Sequence, residues 1–439
     1  MNVEFASDFA KFWTRLSAGK IPSSLRTWGP YPDEEAMLGR ARHFILDNKP
    51  DDWRSIVAGK AEAVSQFDVE GMDRVVAICA CGRSGSVLLA SYFDGHDDVV
   101  LMPNLLSQKI YPFFERYGSL SLRDKLIAYP FFKTDEVDNF LDFFGGDFPI
   151  NPVDYYAAVD ALLEAYAHVA THVLESRRYF FIFLHIAYCV ALGRRTATSN
   201  PLIVYAQHML DEQLAERFIA DFPNGRLIQT VRDPITNSRR LFEHSLPRRG
   251  VLAAWSVMSY LTFAGAPHPG MESRTRIVRF EDLHVRLYET MRALADWLGV
   301  SYGEVLLSST FHGRPYVWRS GTNIWSGRRP EAAIRDCSNT TLSDRWLLFV
   351  LLHEDLTAWK YPCPRICGHP LARVLLCGLI IWIPTKMERN SFKTVARDGF
   401  RAILRSARSM IICRIGIMVL VTTEIFRRVA FKKNVASAL

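Results

Sequence analysis

Several features that mark special classes of protein are missing from these 439 residues. The eight cysteines show no spacing typical of a disulfide framework, and no internal repeat or low-complexity segment is visible. With 49% hydrophobic and 23% charged side chains, the chain has enough apolar surface to fold, which excludes intrinsic disorder. We therefore expect about two or three domains, or one large domain with extensions, with free thiols in a reducing compartment.

Long apolar segments and metal motifs are also scarce. The N-terminus reads MNVEFASDFAKFW, with acids and no continuous apolar stretch, so we expect neither a secretory signal nor an N-terminal anchor. The uncharged run Tyr179–Leu192 is shorter than the about twenty residues that span a bilayer and predicts a buried helix. Cys363, Cys367 and His369 lack a fourth ligand at the usual spacing, so no metal site is predicted.

The basic residues are concentrated at the C-terminal end. Residues 365–439 contain fourteen Lys and Arg against three acids, so the positive charge of this segment exceeds the net charge of +7 for the whole chain. The remaining residues therefore carry a slight acidic excess, and we expect no nucleic acid as a partner.

The tail combines these cations with apolar segments. Residues 371–384 and 410–426 are strongly apolar but are interrupted by charges, which makes a bilayer span costly. Between them, cations recur every fourth residue on one helical face: Lys393, Arg397, Arg401 and Arg405. We expect an amphipathic helical tail that binds an anionic membrane surface through residues 371–433, on the cytoplasmic side. Packing of these helices on the body of the protein is the alternative.

From residue 74 onward, short β-branched runs alternate with helical stretches. The expected strands are 74–80, 202–206, 226–231 and 276–280. The helix after the last of them carries apolar residues at helical spacing and ends at Gly299: Leu287, Met291, Leu294 and Leu298. This alternation predicts an α/β fold with a parallel sheet covered on both faces, after a helical extension (residues 1–70) and with an insert at about 103–198. Ligands of such sheets bind at the carboxyl ends of the strands.

The first strand runs into residues 81–89, which read CGRSGSVLL. Two glycines among small hydroxyl residues allow backbone N–H groups to surround an anion, and Arg83 adds a full positive charge. The segment lacks the lysine of a Walker A loop and the second glycine of a G-x-S-x-G nucleophile elbow. It predicts a phosphate-binding loop, and a plain tight turn is the alternative.

Two further loops follow later strands. Strand 226–231 runs into Arg232-Asp233-Pro234, and strand 276–280 runs into Glu281-Asp282-Leu283. Together with the first loop, this set resembles the sulfotransferases that use 3′-phosphoadenosine 5′-phosphosulfate (PAPS), notably their glycan-modifying and bacterial branches. The resemblance covers about residues 74–360, and we place the domain at 71–364. It implies a P-loop-NTPase-like doubly wound parallel sheet with a helical insert, and no metal.

The resemblance also implies roles for individual residues. In that family the first loop holds the 5′-phosphosulfate, and the matching residues here are Arg83, Ser84, Gly85, Ser86 and Val87. Val87 replaces a hydroxyl residue of the family pattern. The second loop holds the 3′-phosphate through its arginine, here Arg232, and a serine about eight residues later. That position is Arg240 here, and the nearest serine is Ser238. Arg83 is also expected to stabilise the leaving oxygen during transfer.

The general base is harder to place, because the glutamate that glycan sulfotransferases carry after the first loop is absent. His208, two residues beyond strand 202–206, lies at the ligand end of the sheet and has a pKa suited to proton abstraction. A hydrogen-bonded structural histidine is the alternative, and we expect His185 to be a core residue. The late segment 310–329, rich in Gly, Trp and Arg, either covers the nucleotide or is a solvated basic loop.

These observations predict an enzyme that moves a sulfuryl group from PAPS to a hydroxyl on a glycan, glycolipid or lipid-linked saccharide. Two alternatives stay open: an ATP-using P-loop-like kinase, and a membrane-associated sulfotransferase-like binding protein that has lost turnover. The second is suggested by Val87, by Ser238 and by the missing glutamate.

Overall fold

The computed structural model describes most of the chain between residues 31 and 380. The described ranges are 31–80, 84–103, 109–134, 138–145, 149–208, 212–237, 271–320, 323–335 and 340–380, with a few isolated positions beyond. Several predicted residues lie outside them: Arg83, Ser238, Arg240 and the four cations of the tail helix.

A five-stranded parallel sheet forms the centre of the protein. Its strands are β1 (Val75–Ala80), β2 (Val99–Leu101), β3 (Leu202–His208), β4 (Arg226–Val231) and β5 (Thr275–Arg279). The strand order is β2-β3-β1-β4-β5, which places β1 at the centre of the sheet and β2 and β5 at its edges. All four neighbouring pairs are parallel. This topology confirms the predicted doubly wound α/β fold.

Helices cover both faces of the sheet. They are α1 (Glu34–Asn48), α2 (Trp53–Ser65), α3 (Ser86–Ser91), α4 (Ile110–Arg116), α5 (Leu122–Ala128), α6 (Pro152–Ala165), α7 (Thr171–Leu174), α8 (Arg177–Ala191), α9 (Glu212–Asp221), α10 (Asp282–Val285), α11 (Leu287–Leu298), α12 (Leu342–Leu351), α13 (His353–Ala358) and α14 (Pro370–Ile380). Side chains of β1 alternate between two apolar clusters, one shared with α1, α2 and the insert helices, the other with α3 and α11. Because β1 is buried on both faces, it reads as a continuous apolar run.

The apolar run of the insert forms α8, which is buried on nearly all sides, as its sequence predicts. His185 in this helix is fully buried, and its Nδ1–H donates to the Phe181 carbonyl oxygen at 2.7 Å. Burial lowers the pKa of His185 to about 4, so the ring is neutral in the core. His185 is therefore a core histidine.

The structure differs from the sequence expectations in three places. Strand β2 was not predicted, because three residues give too little alternation to detect. The late segment 310–329 forms two antiparallel hairpins rather than one loop, with strands β6 (Thr310–Phe311), β7 (Arg314–Pro315), β8 (Val317–Ser320) and β9 (Asn323–Ser326). The first hairpin turns at His312 and Gly313, whose φ angles of 53° and 71° are those of a type I′ turn. The sequence also predicts a helix over Ser84–Asp94 after the first strand, whereas α3 covers only Ser86–Ser91.

Within the described ranges, none of the helices has the length and apolar character that crossing a bilayer requires.

Candidate active site

The first loop re-enters the described structure at Ser84 and leads into α3 through Gly85. Gly85 has φ +90°, a conformation that side chains rarely adopt. A Cβ at this position would lie 2.5 Å from Cδ2 of Phe280, the residue that follows β5. The glycine is therefore needed both for the turn and for the close approach of the third loop.

The Ser84 hydroxyl ties the first loop to the sheet. Ser84 is fully buried, and its Oγ lies 2.9 Å from Oγ1 of Thr230 near the end of β4. Thr230 in turn donates to the Cys79 carbonyl oxygen at 3.2 Å. Since Thr230 has one hydroxyl hydrogen, the hydrogen between the two side chains belongs to Ser84. Ser84 can thus offer an anion its backbone N–H, while its hydroxyl positions the loop.

Arg232 lies against the same phenylalanine from the second loop. It is the first residue after β4, is 9% exposed, and its Cζ atom lies 4.1 Å from the centroid of the Phe280 ring. A desolvated cation–π contact of this kind contributes about 2 kcal/mol. Phe280 also donates its backbone N–H to the Val231 carbonyl oxygen at 2.7 Å. Phe280 thus brings the first and second loops together.

Two buried acids join the second loop to the third. Asp233 donates its N–H to Oε1 of Glu281 at 2.9 Å, and the other carboxylate oxygen of Glu281 accepts from the Tyr361 hydroxyl at 2.5 Å. Oδ2 of Asp233 accepts from Nε of Arg335 at 2.7 Å, while Oδ1 accepts from the N–H of Thr236 at 2.9 Å. These carboxylates are fully occupied by structural partners. They fix the backbone of the turn that follows Arg232 and are poorly suited to accept a substrate proton.

The late segment ends beside this network. Nε of Arg328 donates to the His284 carbonyl oxygen at 2.7 Å, and the Arg329 N–H donates to Nδ1 of His284 at 3.0 Å. His284 is 3% exposed and packs edge-to-face on Phe280, with ring centroids 4.4 Å apart. Burial, followed by the charges of Arg232, Arg329 and Arg328, lowers the pKa of His284 to about 4. Cations of the second loop and the late segment therefore surround one neutral histidine.

The remaining predicted residues lie near this centre or outside the described ranges. His208 is the last residue of β3, and its backbone pairs with Cys79 at the end of β1, across a bulge at Gln207. Ser86 is buried at the start of α3, and Val87 is partly buried against the apolar cluster under that helix. Arg83, Ser238 and Arg240 lie outside the described ranges.

Sequence reasoning missed His284, Thr230 and Arg335. His284 lies one residue beyond the Glu281-Asp282-Leu283 motif, so the position next to the motif was its only signal. Thr230 and Arg335 acquire their roles only through contacts 146 and 102 residues away in the chain, which no local pattern reveals. Arg314, another arginine of the late segment, lies near His312 and, after burial and Arg194, helps to lower the pKa of that histidine.

No cluster of three His, Cys, Asp or Glu side chains suited to a metal ion occurs among the residues that the structure describes. The described cysteines form no disulfide bond: Cys79, Cys189, Cys363, Cys367 and Cys377.

Comparison with known proteins places the chain in context. The model of a family described as the sulfotransferase family matches residues 76–304, slightly more than half of the chain. Among solved structures, the sulfotransferase domain from the curacin biosynthetic pathway is similar at 19% identity and a TM-score of 0.33, covering 54% of this chain and 78% of that one. The sulfotransferase domain from the Synechococcus PCC 7002 olefin synthase is similar at 17% identity and a TM-score of 0.33, covering 56% and 79%. No curated protein matches.

Proposed function

The chain belongs to the sulfotransferase family, and from that premise we propose that it transfers a sulfuryl group from PAPS to an acceptor hydroxyl. The observation that carries the proposal is the position of Phe280 between the two loops. The centroid of its ring lies 4.1 Å from Cζ of Arg232, and a Cβ added to Gly85 would lie 2.5 Å from its Cδ2 atom. A nucleotide with phosphate groups at both its 5′ and 3′ positions requires two anion-binding loops side by side. The shared contact with Phe280 gives the first and second loops that relation.

The charges at the site suit such a ligand. After burial, the charges of Arg232, Arg329 and Arg328 are the main causes that lower the pKa of His284, so these charges add positive potential beside the second loop. The nearby carboxylate of Asp233 accepts a hydrogen bond from Arg335, whose positive charge offsets the negative charge of Asp233. An anion would therefore be stabilised here, where burial reduces dielectric screening.

We assign the steps of the reaction as follows. PAPS supplies the sulfuryl group and a phosphate leaving group. The first loop holds the 5′ end through the backbone N–H groups of residues 84–87, and Arg83 neutralises charge on the leaving oxygen. Arg232, with Ser238 or Arg240, holds the 3′-phosphate. His208 accepts the proton of the acceptor hydroxyl as its oxygen bonds to sulfur and the bond from sulfur to the phosphate oxygen breaks.

Radiolabelled sulfate tests this assignment. Protein incubated with PAPS labelled in its sulfate is expected to transfer label to hydroxyl-bearing glycolipids extracted from membranes. Binding of PAPS together with failure to transfer label to any extract would favour the binding-protein alternative. Magnesium-dependent binding of ATP without binding of PAPS would favour the kinase alternative.

Variants of two separate histidines test whether His208 is the general base. His208→Ala is expected to lower the transfer rate at least about a hundredfold, the usual contribution of a positioned base, while binding of PAPS persists. His168→Ala, which alters an exposed histidine, is the matched control and is expected to leave the rate unchanged. Near-normal turnover of His208→Ala would remove His208 from the role.

We further propose that the acceptor is a glycan, glycolipid or lipid-linked saccharide at the cytoplasmic face of a membrane. On α14, Leu371, Leu375 and Leu379 are 64%, 62% and 72% exposed, and their spacing of four places them on one face. This leucine stripe begins the tail that holds fourteen Lys and Arg against three acids. An apolar stripe next to many cations suits an interface with anionic headgroups.

Vesicle binding tests the membrane proposal. Truncation after residue 364 is expected to release active enzyme from membrane fractions, and Leu375→Glu to weaken binding to phosphatidylglycerol vesicles. Leu46→Glu changes an equally exposed leucine on α1 and serves as the control, with unchanged binding expected. A truncated protein that stays bound to the membrane would contradict the proposal.

A further inference from the structure

His284 carries a buried hydrogen-bonding atom that the fold does not use. The residue is 3% exposed, and its Nδ1 accepts the N–H of Arg329 at 3.0 Å. Within the described part of the chain, Nε2 of His284 is buried and has no hydrogen-bond partner. A buried polar group without a partner costs free energy of folding, so its retention in a native structure requires an explanation such as a ligand.

The hydrogen bond that Nδ1 of His284 accepts determines which kind of ligand can bind at Nε2. Because Nδ1 accepts a hydrogen bond, it carries no proton, and a neutral ring then carries its hydrogen on Nε2. Burial and the surrounding guanidinium groups keep the ring neutral, since they lower the pKa of His284 to about 4 against the opposing charge of Glu331. Nε2 is thus a fixed donor in a positive environment. It suits an acceptor atom that carries negative charge.

The neighbours of His284 indicate which phosphate group of the nucleotide it would contact. His284 and Arg232 both lie on the Phe280 ring, at 4.4 Å and 4.1 Å from its centroid. Arg232 belongs to the second loop, which the proposed function assigns to the 3′-phosphate. We propose that Nε2–H of His284 donates a hydrogen bond to that 3′-phosphate and so helps to select nucleotides that carry it. This inference rests on the proposed function.

The binding of two nucleotides to two variants tests the inference. The nucleotides are adenosine 3′,5′-bisphosphate and 5′-AMP, which lacks the 3′-phosphate. His284→Asn can still accept the Arg329 N–H but cannot reach the ligand, whereas the amide nitrogen of His284→Gln can occupy the place of Nε2. Calorimetry is expected to show His284→Asn binding the bisphosphate about tenfold more weakly, with 5′-AMP binding unchanged. His284→Gln is expected to bind both as the wild type does, with a lower melting temperature.

The outcomes separate the inference from the proposed function. If the wild-type protein does not bind the bisphosphate, the proposed function fails, whatever His284 does. If the wild type binds it and His284→Asn loses nothing, or loses equal affinity for both nucleotides, the role of His284 is overturned. Inorganic phosphate serves as a third ligand. A loss of phosphate affinity without a loss of bisphosphate affinity would assign Nε2 to a free anion and also overturn the inference.

The tautomer gives a readout that a purely structural role would not change. In nitrogen-15 spectra, the Nε2–H resonance of His284 is expected to shift on addition of the bisphosphate and to stay in place on addition of 5′-AMP. An equal shift with both nucleotides would contradict a contact with the 3′-phosphate.

Discussion

Asp94 follows α3 and lies at the edge of the sheet where the strands begin. It accepts hydrogen bonds from Arg194 at 2.6 Å, from the Thr310 hydroxyl at 2.9 Å and from the Gly313 N–H at 3.0 Å. At the edge where the strands end, Asp233 is buried in a similar way and accepts from Arg335 and Thr236. We call these the amino edge and the carboxyl edge. Each buried carboxylate is paired with an arginine, as a buried charge must be.

The histidines of the two edges differ. Burial is the main cause that lowers the pKa of both His312, at the amino edge, and His284, at the carboxyl edge, to about 4. Nε2 of His312 lies 2.7 Å from the Tyr188 hydroxyl, so that atom is satisfied by the fold. Nε2 of His284 has no partner in the described residues. A lowered pKa therefore reports burial at both edges, whereas the two histidines differ in whether Nε2 has a partner within the fold.

The largest expected effects come from removing one carboxylate at each edge. Asp94→Asn and Asp233→Asn each leave a largely buried arginine without its anion, which costs about 3 kcal/mol of stability. Only Asp233→Asn is expected also to weaken nucleotide binding, because the Asp233 carboxylate fixes the turn that follows Arg232 through its bonds to Thr236 and Arg335. Thermal unfolding and calorimetric binding of adenosine 3′,5′-bisphosphate measure the two effects.

Asp282→Asn is the control for this pair. Asp282 bonds the largely exposed Arg286 one turn later, so its loss is expected to cost less than about 1 kcal/mol. If Asp94→Asn weakened nucleotide binding as much as Asp233→Asn, the two edges would not be functionally distinct.

A smaller effect is expected from two glycines with positive φ. Gly85→Ala at the carboxyl edge must adopt a left-handed conformation and also displace Phe280, whereas Gly193→Ala has φ +68° and no atom within 4 Å of the new Cβ. Gly193→Ala is expected to lose about 1 kcal/mol from backbone strain alone. Gly85→Ala is expected to lose about twice as much and to weaken nucleotide binding, since Phe280 supports Arg232. Equal losses in denaturant unfolding would mean that Phe280 moves aside freely.

Local sequence patterns were sufficient for four of the five strands of the central sheet, all but β2, and for the positions of two of its loops. β1 and β4 are short apolar runs followed by small or charged residues, and the helix from Leu287 to Gly299 has helical apolar spacing with a glycine at its end. These signals depend on neighbours in the chain, so they can be detected without the fold.

Features made by distant contacts could not be predicted. The bulge at Gln207 depends on how β3 pairs with β1, and it makes His208 part of the strand rather than a residue beyond it. The role of Glu281 depends on Tyr361, 80 residues later, and the unused donor of His284 depends on the Arg329 backbone. A lone histidine in a helix carries no signal of this kind until its neighbours are known.

The smallest expected effect is a pH dependence that isolates the amino edge. The pKa of His312 falls from 6.5 to about 4 on folding, because burial and the charges of Arg194 and Arg314 outweigh the attraction of Asp94. Between these pH values the unfolded chain binds a proton that the folded protein does not, so stability is complete above about pH 6.5 and falls as the pH is lowered. His312→Gln keeps a polar atom near Tyr188 and is expected to reduce this slope by up to about 1 kcal/mol per pH unit. Urea unfolding at about pH 7 and about pH 5 measures it. An unchanged slope would mean that His312 is protonated in the folded protein and donates to Tyr188, and its lowered pKa would then no longer match that of His284.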